Sequence, residues 1–364
     1  MKYKTNVCIV GGGPAGAFLG YLLAKNGIST IIIERASRND REFRGEHINS
    51  ETEDLLKEHG LYEKVEEHGL LKMEKLEYFV GNEIVKTIKP TFPDDHVGIH
   101  VPQPHLLNVL IEESERYNNY QHIFNAAVIN LIQDVEGRYT GIKAKKDGEE
   151  FVITCSIIVG ADGRYSTVRK LAEIPVVQKS HGYDVLWAKI PAPSNWEPTT
   201  RMLLVNGHQL ALFTQTGGYI QIGWNIEEGS FPSLRKTALL EFLTPLLELC
   251  PHLRKIVLQH LHTWEDFVLL KVHSSLSETW VKDGLVLIGD AAHTMTPTAA
   301  IGINCALKDA YVLTPIITAA IRENDLRAER LKLFEEQRRA EIERLQQLQL
   351  EKETLFSENF VLSN

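Results

Sequence analysis

The stretch Asn6-Val7-Cys8-Ile9-Val10-Gly11-Gly12-Gly13-Pro14-Ala15-Gly16 decides the fold. An apolar run of strand character ends in glycines spaced G-x-G-x-x-G. A helical segment follows from Ala17 to Lys25, and a second apolar run, Ile31-Ile32-Ile33, ends in Glu34-Arg35. Strand, glycine turn, helix, strand and an acid about 20 residues beyond the glycines form the pattern of a dinucleotide-binding βαβ unit. Gly11 lets the backbone turn sharply off the strand. Gly13 removes a side chain so that a diphosphate can approach, and Gly16 lets the helix sit close to the strand. The helix that Pro14 and Ala15 open offers free N–H groups and positive partial charge to the phosphates. Glu34 is placed to accept hydrogen bonds from ribose hydroxyls, which favours an unphosphorylated 2′ position. A plain βα turn is the competing reading of the glycines alone.

The chain has 364 residues, which predicts two domains or one domain with a large insertion. Its hydrophobic content of 43% and charged content of 24% are ordinary for a globular protein. A net charge of −9 argues against nucleic acid or an anionic membrane as partner. No uninterrupted apolar run reaches the roughly 18 residues of a membrane span, so no transmembrane segment is expected. The start, Met1-Lys2-Tyr3-Lys4-Thr5, leads at once into the first strand and leaves no room for a secretion signal. Cys8, Cys155, Cys250 and Cys305 are far apart and form no C-x-x-C, which reads as reduced thiols in a cytoplasmic protein.

Beyond the first unit, Ser50 to Glu66 reads as a helix with Leu55, Leu56, Leu61 and Val65 inward, and Ser50 with Glu53 fits a capping box. Arg44, just before it, is either a surface charge or a cofactor contact reached from a loop. Lys75 to Lys89 reads as a hairpin about Gly81-Asn82, and Pro102-Gln103-Pro104 leads into a helix through Leu106, Leu107, Val109, Leu110 and Ile111. His96, His100 and His105 fall close together without a further ligand cluster, so no metal is expected. A small antiparallel ribbon, Ala126 to Ser156, runs into the strand Ile157 to Gly160 and the turn Ala161-Asp162-Gly163.

From Tyr183 to about Glu228 the pattern becomes an antiparallel meander with turns at Asn206-Gly207 and Gly217-Gly218. Ser233 to Leu258 reads as helix with Leu239, Leu240, Phe242, Leu243, Leu246 and Leu247 inward. Trp264 to His273 reads as a strand. The α/β character returns at Gly284-Leu285-Val286-Leu287-Ile288-Gly289-Asp290-Ala291-Ala292-His293. A long helix from about Leu326 to Phe356 closes the chain, with Leu331, Phe334, Ile342, Leu345 and Leu348 on an apolar stripe and its Glu, Arg, Gln and Lys on a solvated face.

Three motifs therefore stand in order: the glycine turn, Ala161-Asp162-Gly163, and Gly289-Asp290-Ala291-Ala292-His293. Together they resemble the group A flavoprotein monooxygenases, the para-hydroxybenzoate hydroxylase superfamily. Pro297-Thr298-Ala299-Ala300-Ile301-Gly302-Ile303-Asn304 is similar to that family's P-x-x-x-x-G-x-N segment. Phe334-Glu335-Glu336-Gln337-Arg338-Arg339 resembles its aromatic-Glu-x-x-Arg-Arg stretch. The resemblance implies an α/β fold: a Rossmann-like FAD-binding domain of the glutathione-reductase type, an inserted antiparallel sheet for substrate, and a long C-terminal helix. Residues 1–74, 95–180 and 275–364 would form the first, and 75–94 with 181–274 the second.

Carried onto this chain, the resemblance implies that Gly11, Gly13 and Gly16 take the FAD diphosphate, Glu34 the adenosine ribose and Arg35 the adenine flank. Arg44 and Gln103 would touch the cofactor along its length, Asp162 belongs to a motif tied to FAD and nicotinamide, and Asp290 would meet the ribityl or diphosphate region. Gly302, Ile303 and Asn304 would present N–H groups to the flavin pyrimidine ring, with Pro297 beside the reacting carbon. Such enzymes use NAD(P)H as a transient reductant and O2, through a C4a-hydroperoxyflavin, to hydroxylate an aromatic or polycyclic small molecule. No second glycine fingerprint exists for a nicotinamide domain. This chain departs in carrying Ala300-Ile301-Gly302 where many members have G-x-G. No acid or base of obvious catalytic identity stands out; Trp187, Phe213, Tyr219, Gln221 and Trp224 are the candidates for the substrate wall, with ordinary core packing as the alternative for each.

Halogenases of the same fold need a Trp-x-Trp-x-Ile-Pro segment, which this chain lacks, and prenyl reductases need an aromatic motif that is also missing. A flavin-binding protein without turnover is the reading from another class. Oligomeric state stays open between monomer and homodimer.

Overall fold

The computed structural model describes residues 2–37, 46–81, 83–92 and 95–360. Arg44 and Asn82, both singled out from the sequence, lie outside them. In chain order the elements that build the site are β1 (Val7–Val10), α1 (Pro14–Lys25), β2 (Thr30–Ile33), β3 (His47–Ile48), α2 (Ser50–Glu58), β4 (Lys75–Val80), β5 (Glu83–Ile88), β6 (Ile99–His100), α3 (Gln103–Ser114), β7 (Tyr120–Ile123) and β8 (Ile157–Gly160). They continue with α4 (Thr167–Leu171), β9 (Val176–Pro191), β10 (Thr199–Val205), β11 (His208–Gln215), β12 (Tyr219–Glu227), α5 (Leu239–Leu249), β13 (Val268–Ser277), β14 (Leu285–Leu287), α6 (Ile301–Glu323) and α7 (Ala328–Thr354).

The apolar runs of β1, β2, β8 and β14 are buried along their whole length. Strands covered on both faces have no need to alternate, and they pair in parallel. They form a six-stranded sheet in the order Val281–Lys282, β14, β8, β1, β2, β7. The ribbon Ala126–Gln133, Tyr139–Lys146 and Glu149–Thr154 makes a separate four-stranded sheet with Lys2–Lys4. The meander belongs to an eight-stranded sheet ordered His293–Thr294, β13, β9, β12, β11, β10, β4, β5. The expected hairpin β4–β5 joins it through a parallel pairing of β4 with β10. β9 and β13 both continue past the boundaries expected at residues 180 and 274, pairing from Val176 with Ser277 to Trp187 with Val268 with a shift of register between Ser180 and Asp184.

Several local expectations change. The helix expected over Ser50 to Glu66 is two helices, α2 and Tyr62–His68, broken where Gly60 adopts φ +68°. Its N-cap is Asn49, whose side chain accepts from the Thr52 N–H, so no Ser50–Glu53 capping box forms, and Glu53 is buried instead. Ser233 to Leu258 is likewise divided, into Phe231–Leu234, α5 and Arg254–His260, with a 3-10 turn beginning at Pro251. Leu240 faces solvent at 54% exposure while Leu243, Leu246 and Leu247 are buried. Trp264–Asp266 is a 3-10 turn, and the strand starts only at Val268.

The two closing helices also differ from expectation. One helical span, Thr298–Glu323, is long and apolar enough by length and composition to cross a membrane, although no such segment was expected; its most apolar stretch is more than half buried inside this fold. In α7 the polar residues are not all solvated: Arg338 is 1% and Gln349 0% exposed, and Glu335 is buried as well. They lie on the same stripe as Leu331, Phe334 and Ile342, and each has a buried partner to satisfy.

Candidate active site

The three sequence motifs follow the carboxyl ends of three adjacent parallel strands, β1, β8 and β14. Ligands of open α/β sheets bind at that edge. Gly11 adopts φ +108°, and a Cβ there would overlap the backbone of Ala161 and Asp162. A Cβ on Gly16 would overlap the Gly11 carbonyl, so the helix reaches the strand only because Gly16 has none. A Cβ on Gly289 would lie 3.3 Å from Ala15 Cβ and 3.6 Å from Ala306 Cβ, which puts the Gly-Asp turn between α1 and α6. The helix α1 begins at Gly13 with no side chain capping it, and α6 begins at Ala300 the same way. Two uncapped helix N-termini beside one glycine cradle fit a diphosphate and the electron-rich edge of a ring system.

The residues expected to meet the cofactor have distinct local partners. Glu34 accepts from Gly12 N–H at 2.7 Å and from Ala36 N–H at 2.8 Å, which fixes its carboxylate at the end of β2. Arg35 is exposed next to it, and Gln103 is buried at the start of α3. Asp162 accepts from the Ser166 hydroxyl at 2.5 Å and from Thr167 N–H at 2.6 Å; it stitches the turn to α4, and burial raises its pKa. Asp290 stands 3.8 Å from the Arg164 guanidinium. Asn304 carboxamide oxygen accepts from Asn49 N–H at 3.0 Å while its nitrogen donates to the His47 carbonyl at 3.1 Å, so α6 holds β3 directly.

Two buried networks support this edge, and both escaped the sequence reading. Asp309, in the middle of α6, accepts from Gly289 N–H at 2.9 Å, pairs with His293 Nε2 at 2.7 Å and takes the Arg338 Nε–H at 2.9 Å. Burial alone would raise its pKa; His293 and Arg338 overcome that and hold it below the usual range. The family-like His293 and Arg338 are therefore two ends of one structural brace behind the Gly-Asp turn. An acid on the buried stripe of an otherwise apolar helix was the available signal.

The second network clamps the loop at Pro297. Gln349 donates to the carbonyls of Thr296 at 2.9 Å and Thr298 at 2.6 Å and accepts from Thr296 N–H at 3.1 Å. Glu353 accepts from the hydroxyls of Thr296, Thr298 and Tyr183 at 2.7, 2.6 and 2.9 Å and meets His181 Nδ1 at 2.5 Å. Burial would raise the Glu353 pKa, but His181 and the threonine hydroxyls lower it below the ordinary range. Beyond this clamp Ala299 and Ala300 adopt φ +59° and +51°, a left-handed pair whose second member stands where the resemblance would place glycine.

The eight-stranded sheet turns one face to α5 and the other to this loop. Leu186, Leu210, Leu212, Ile222 and Trp224 pack under α5. Trp224 lies 4.3 Å from the Phe242 ring, so it is core and leaves the set of substrate-wall candidates. Trp187, Phe213, Tyr219 and Gln221 alternate onto the other face. Trp187 and Phe213 lie 6.0 Å apart over Gly223, whose missing Cβ leaves room for the indole. Lys189 sits 4.5 Å over Tyr219, at the exposed end of the row. The face is tied down at two places: Tyr183 meets the Thr298 hydroxyl at 3.0 Å, and Gln215 donates to Glu46 Oε2 at 3.1 Å and also to Gln221. Among the described residues no group of His, Cys, Asp and Glu is arranged to hold a metal. His96, His100 and His105 instead meet Glu53, Glu46 and the Gly69 carbonyl.

A glycine cradle at the joined ends of three parallel strands defines a dinucleotide-binding protein of the α/β class. Residues 4–349 match the FAD binding domain family, and the chain belongs to it. It is 31% identical over 353 residues to 6-methylpretetramide 4-monooxygenase of Streptomyces rimosus, covering 95% of this chain and 83% of that one. Among solved structures it resembles P. aeruginosa PqsL in complex with 2-aminobenzoylacetate, with a TM-score of 0.84, 19% identity and coverage of 98% and 99%. The fold is also that of the myxobacterial halogenase CndH, at a TM-score of 0.80, 18% identity and coverage of 95% and 82%. The chain is thus an FAD-dependent oxidoreductase of the group A flavin monooxygenase family.

Proposed function

We propose that this monooxygenase hydroxylates a polycyclic phenol bound on the sheet face that carries Trp187, Phe213, Tyr219 and Gln221, with NAD(P)H as transient reductant. The observation that carries the reading is the facing of that sheet: its aromatic side is fastened to the Pro297 loop through Tyr183 and to β3 through Gln215. The printed activity of the relative from Streptomyces rimosus points to the same substrate class. In this reading residues 1–74, 95–180 and 275–364 hold FAD, and 75–94 with 181–274 hold the substrate. The four free, buried thiols suit a reducing, intracellular setting.

When bound, FAD supplies electron transfer and oxygen activation. The chain's own residues do the rest. Gly11, Gly13, Pro14, Ala15 and Gly16 form the diphosphate seat, with Glu34 on the ribose and Arg35, Gln103, Asp162 and Asp290 along the molecule. Gly302, Ile303 and Asn304 turn the α6 N-terminus toward negative charge on the ring. Pro297 would line the site beside the bound cofactor, and Trp187 and Phe213 would cover the aromatic substrate and keep water out. The test is oxygen labelling. Purified enzyme with FAD, NAD(P)H, labelled O2 and a panel of polycyclic phenols should yield product carrying one labelled oxygen. Phenol-stimulated NAD(P)H oxidation with no label in any product would contradict the reading. The same panel in the presence of halide should give no halogenated product.

A further inference from the structure

The sequence offers no obvious acid or base for activating a phenol, but the fold assembles one at the junction of the two halves. We propose that Glu46, oriented by His100 and Gln215, is the group that accepts the proton of the substrate's phenolic hydroxyl. This rests on the polycyclic-phenol reading above and adds the residue that performs the activation.

The placement is fixed from three directions. Glu46 precedes β3, and its carbonyl accepts from Val101 N–H at 2.8 Å, just past β6. β3 pairs antiparallel with β6, with His47 opposite His100. His100 Nε2 lies 2.7 Å from Glu46 Oε2, and Gln215 Nε2 reaches the same oxygen from the substrate sheet at 3.1 Å. Both contacts fall on Oε2; among the described residues none falls on Oε1. The carboxylate is therefore held on one oxygen by the Gln215 amide donor and the close His100 imidazole, as a positioned base requires. His100 Nδ1 is buried without a partner, so the imidazole acts through Nε2 alone.

The neighbourhood is that of the reaction. The residue after Glu46, His47, gives its carbonyl to Asn304 at the start of α6, where the flavin ring is expected. Gln215 also donates to Gln221, and Gln221 pairs in register with Phe213 on the aromatic face. One hydrogen-bonded chain thus joins the substrate wall, the carboxylate and the strand beside the ring. The two glutamines have a second consequence. A proton gained by Glu46 changes what Gln215 can donate to, so ionisation of substrate and order of the wall are coupled.

The step balances without a further reagent. The phenol O–H bond breaks, an O–H bond forms at Glu46, and the electron pair stays on the phenolate oxygen. Nothing is oxidised in this step. The phenolate carries more electron density at its ortho and para carbons, where an electrophilic oxygen would add. The proton returns when the product leaves.

The experiment uses FAD-loaded enzyme and 7-hydroxycoumarin, a bicyclic phenol whose ionised form absorbs to the red of the neutral one. At a pH below the free probe's own ionisation, wild type should bind it with the phenolate band and oxidise NAD(P)H faster in its presence. Glu46→Gln should bind it with the neutral band, and its stimulated kcat should fall about 100-fold with KM changed little. The methyl ether 7-methoxycoumarin, with no proton to lose, should bind both equally. His100→Gln, which keeps a donor to Oε2, should retain the phenolate band, and its melting temperature and that of Glu46→Gln check folding. A phenolate band that persists in a folded Glu46→Gln protein overturns the proposal while the phenol reading stands. If neither this probe nor the polycyclic panel binds or stimulates wild type, the phenol reading fails and the proposal with it.

Discussion

Gly11 and Ala300 show opposite uses of left-handed backbone. At Gly11 the glycine is required, because φ +108° and the Ala161 backbone leave no room for a Cβ. Gly11→Ala should abolish FAD binding in protein that still folds, or lower the melting temperature sharply; calorimetry with and without FAD separates the two. At Ala299 and Ala300 glycine is absent although both adopt positive φ. Ala300→Gly should therefore stabilise the protein by about 0.5–1 kcal/mol in urea unfolding, the relief of strain exceeding the entropy lost from a freer unfolded chain. His47 gives a third prediction. Burial, then the nearby His100 and His96, lower its pKa to about 4. A histidine kept neutral when folded stabilises above its unfolded pKa, and that contribution is lost as pH falls from about 6.5 toward 4. His47→Asn should flatten that part of the pH–stability profile by an amount on the order of 3 kcal/mol. The glycines and Glu34 were legible because their spacing encodes backbone geometry. Trp224 was not, since alternation along a strand says which residues share a face and not which face meets the helix.

At the scale of elements, α7 is a brace. Its buried Arg338 reaches Asp309 behind the Gly-Asp turn, and Gln349 and Glu353, four residues apart on one face of the helix, clamp the Pro297 loop. The apolar stripe of this helix was readable from its periodicity, but its buried polar members looked like solvated positions because composition does not report a partner distant in sequence. Glu353→Ala leaves the hydroxyls of Tyr183, Thr296 and Thr298 without their acceptor. It should cost about 2–4 kcal/mol in urea unfolding and weaken FAD binding, whereas Glu353→Gln, which keeps an acceptor, should lose less of both. A Glu353→Ala protein with wild-type stability and wild-type FAD affinity would remove the clamp from the account. Helix boundaries at Gly60 and Pro251 also shifted from expectation. A leucine-rich run hides such breaks, because the apolar positions on either side still suit helical spacing.

For the whole molecule, the order of the three motifs in sequence becomes adjacency of three strands in space, and that adjacency makes one long binding edge. The antiparallel sheet is then positioned by contacts at both ends of its aromatic face, through Tyr183 and Gln215. The α/β class and the parallel sheet were legible because repeated local patterns specify them. The antiparallel sheet was legible only as a meander, because long-range contacts such as Gln215 with Glu46 leave no periodic trace. The most direct measurement is a titration of flavin-free protein with FAD, followed by visible absorbance and melting temperature. Saturable 1:1 binding with a resolved flavin spectrum and a rise in melting temperature, both lost in Gly11→Ala, is the predicted result. Protein that stays colourless and gains no stability in excess FAD would contradict the account.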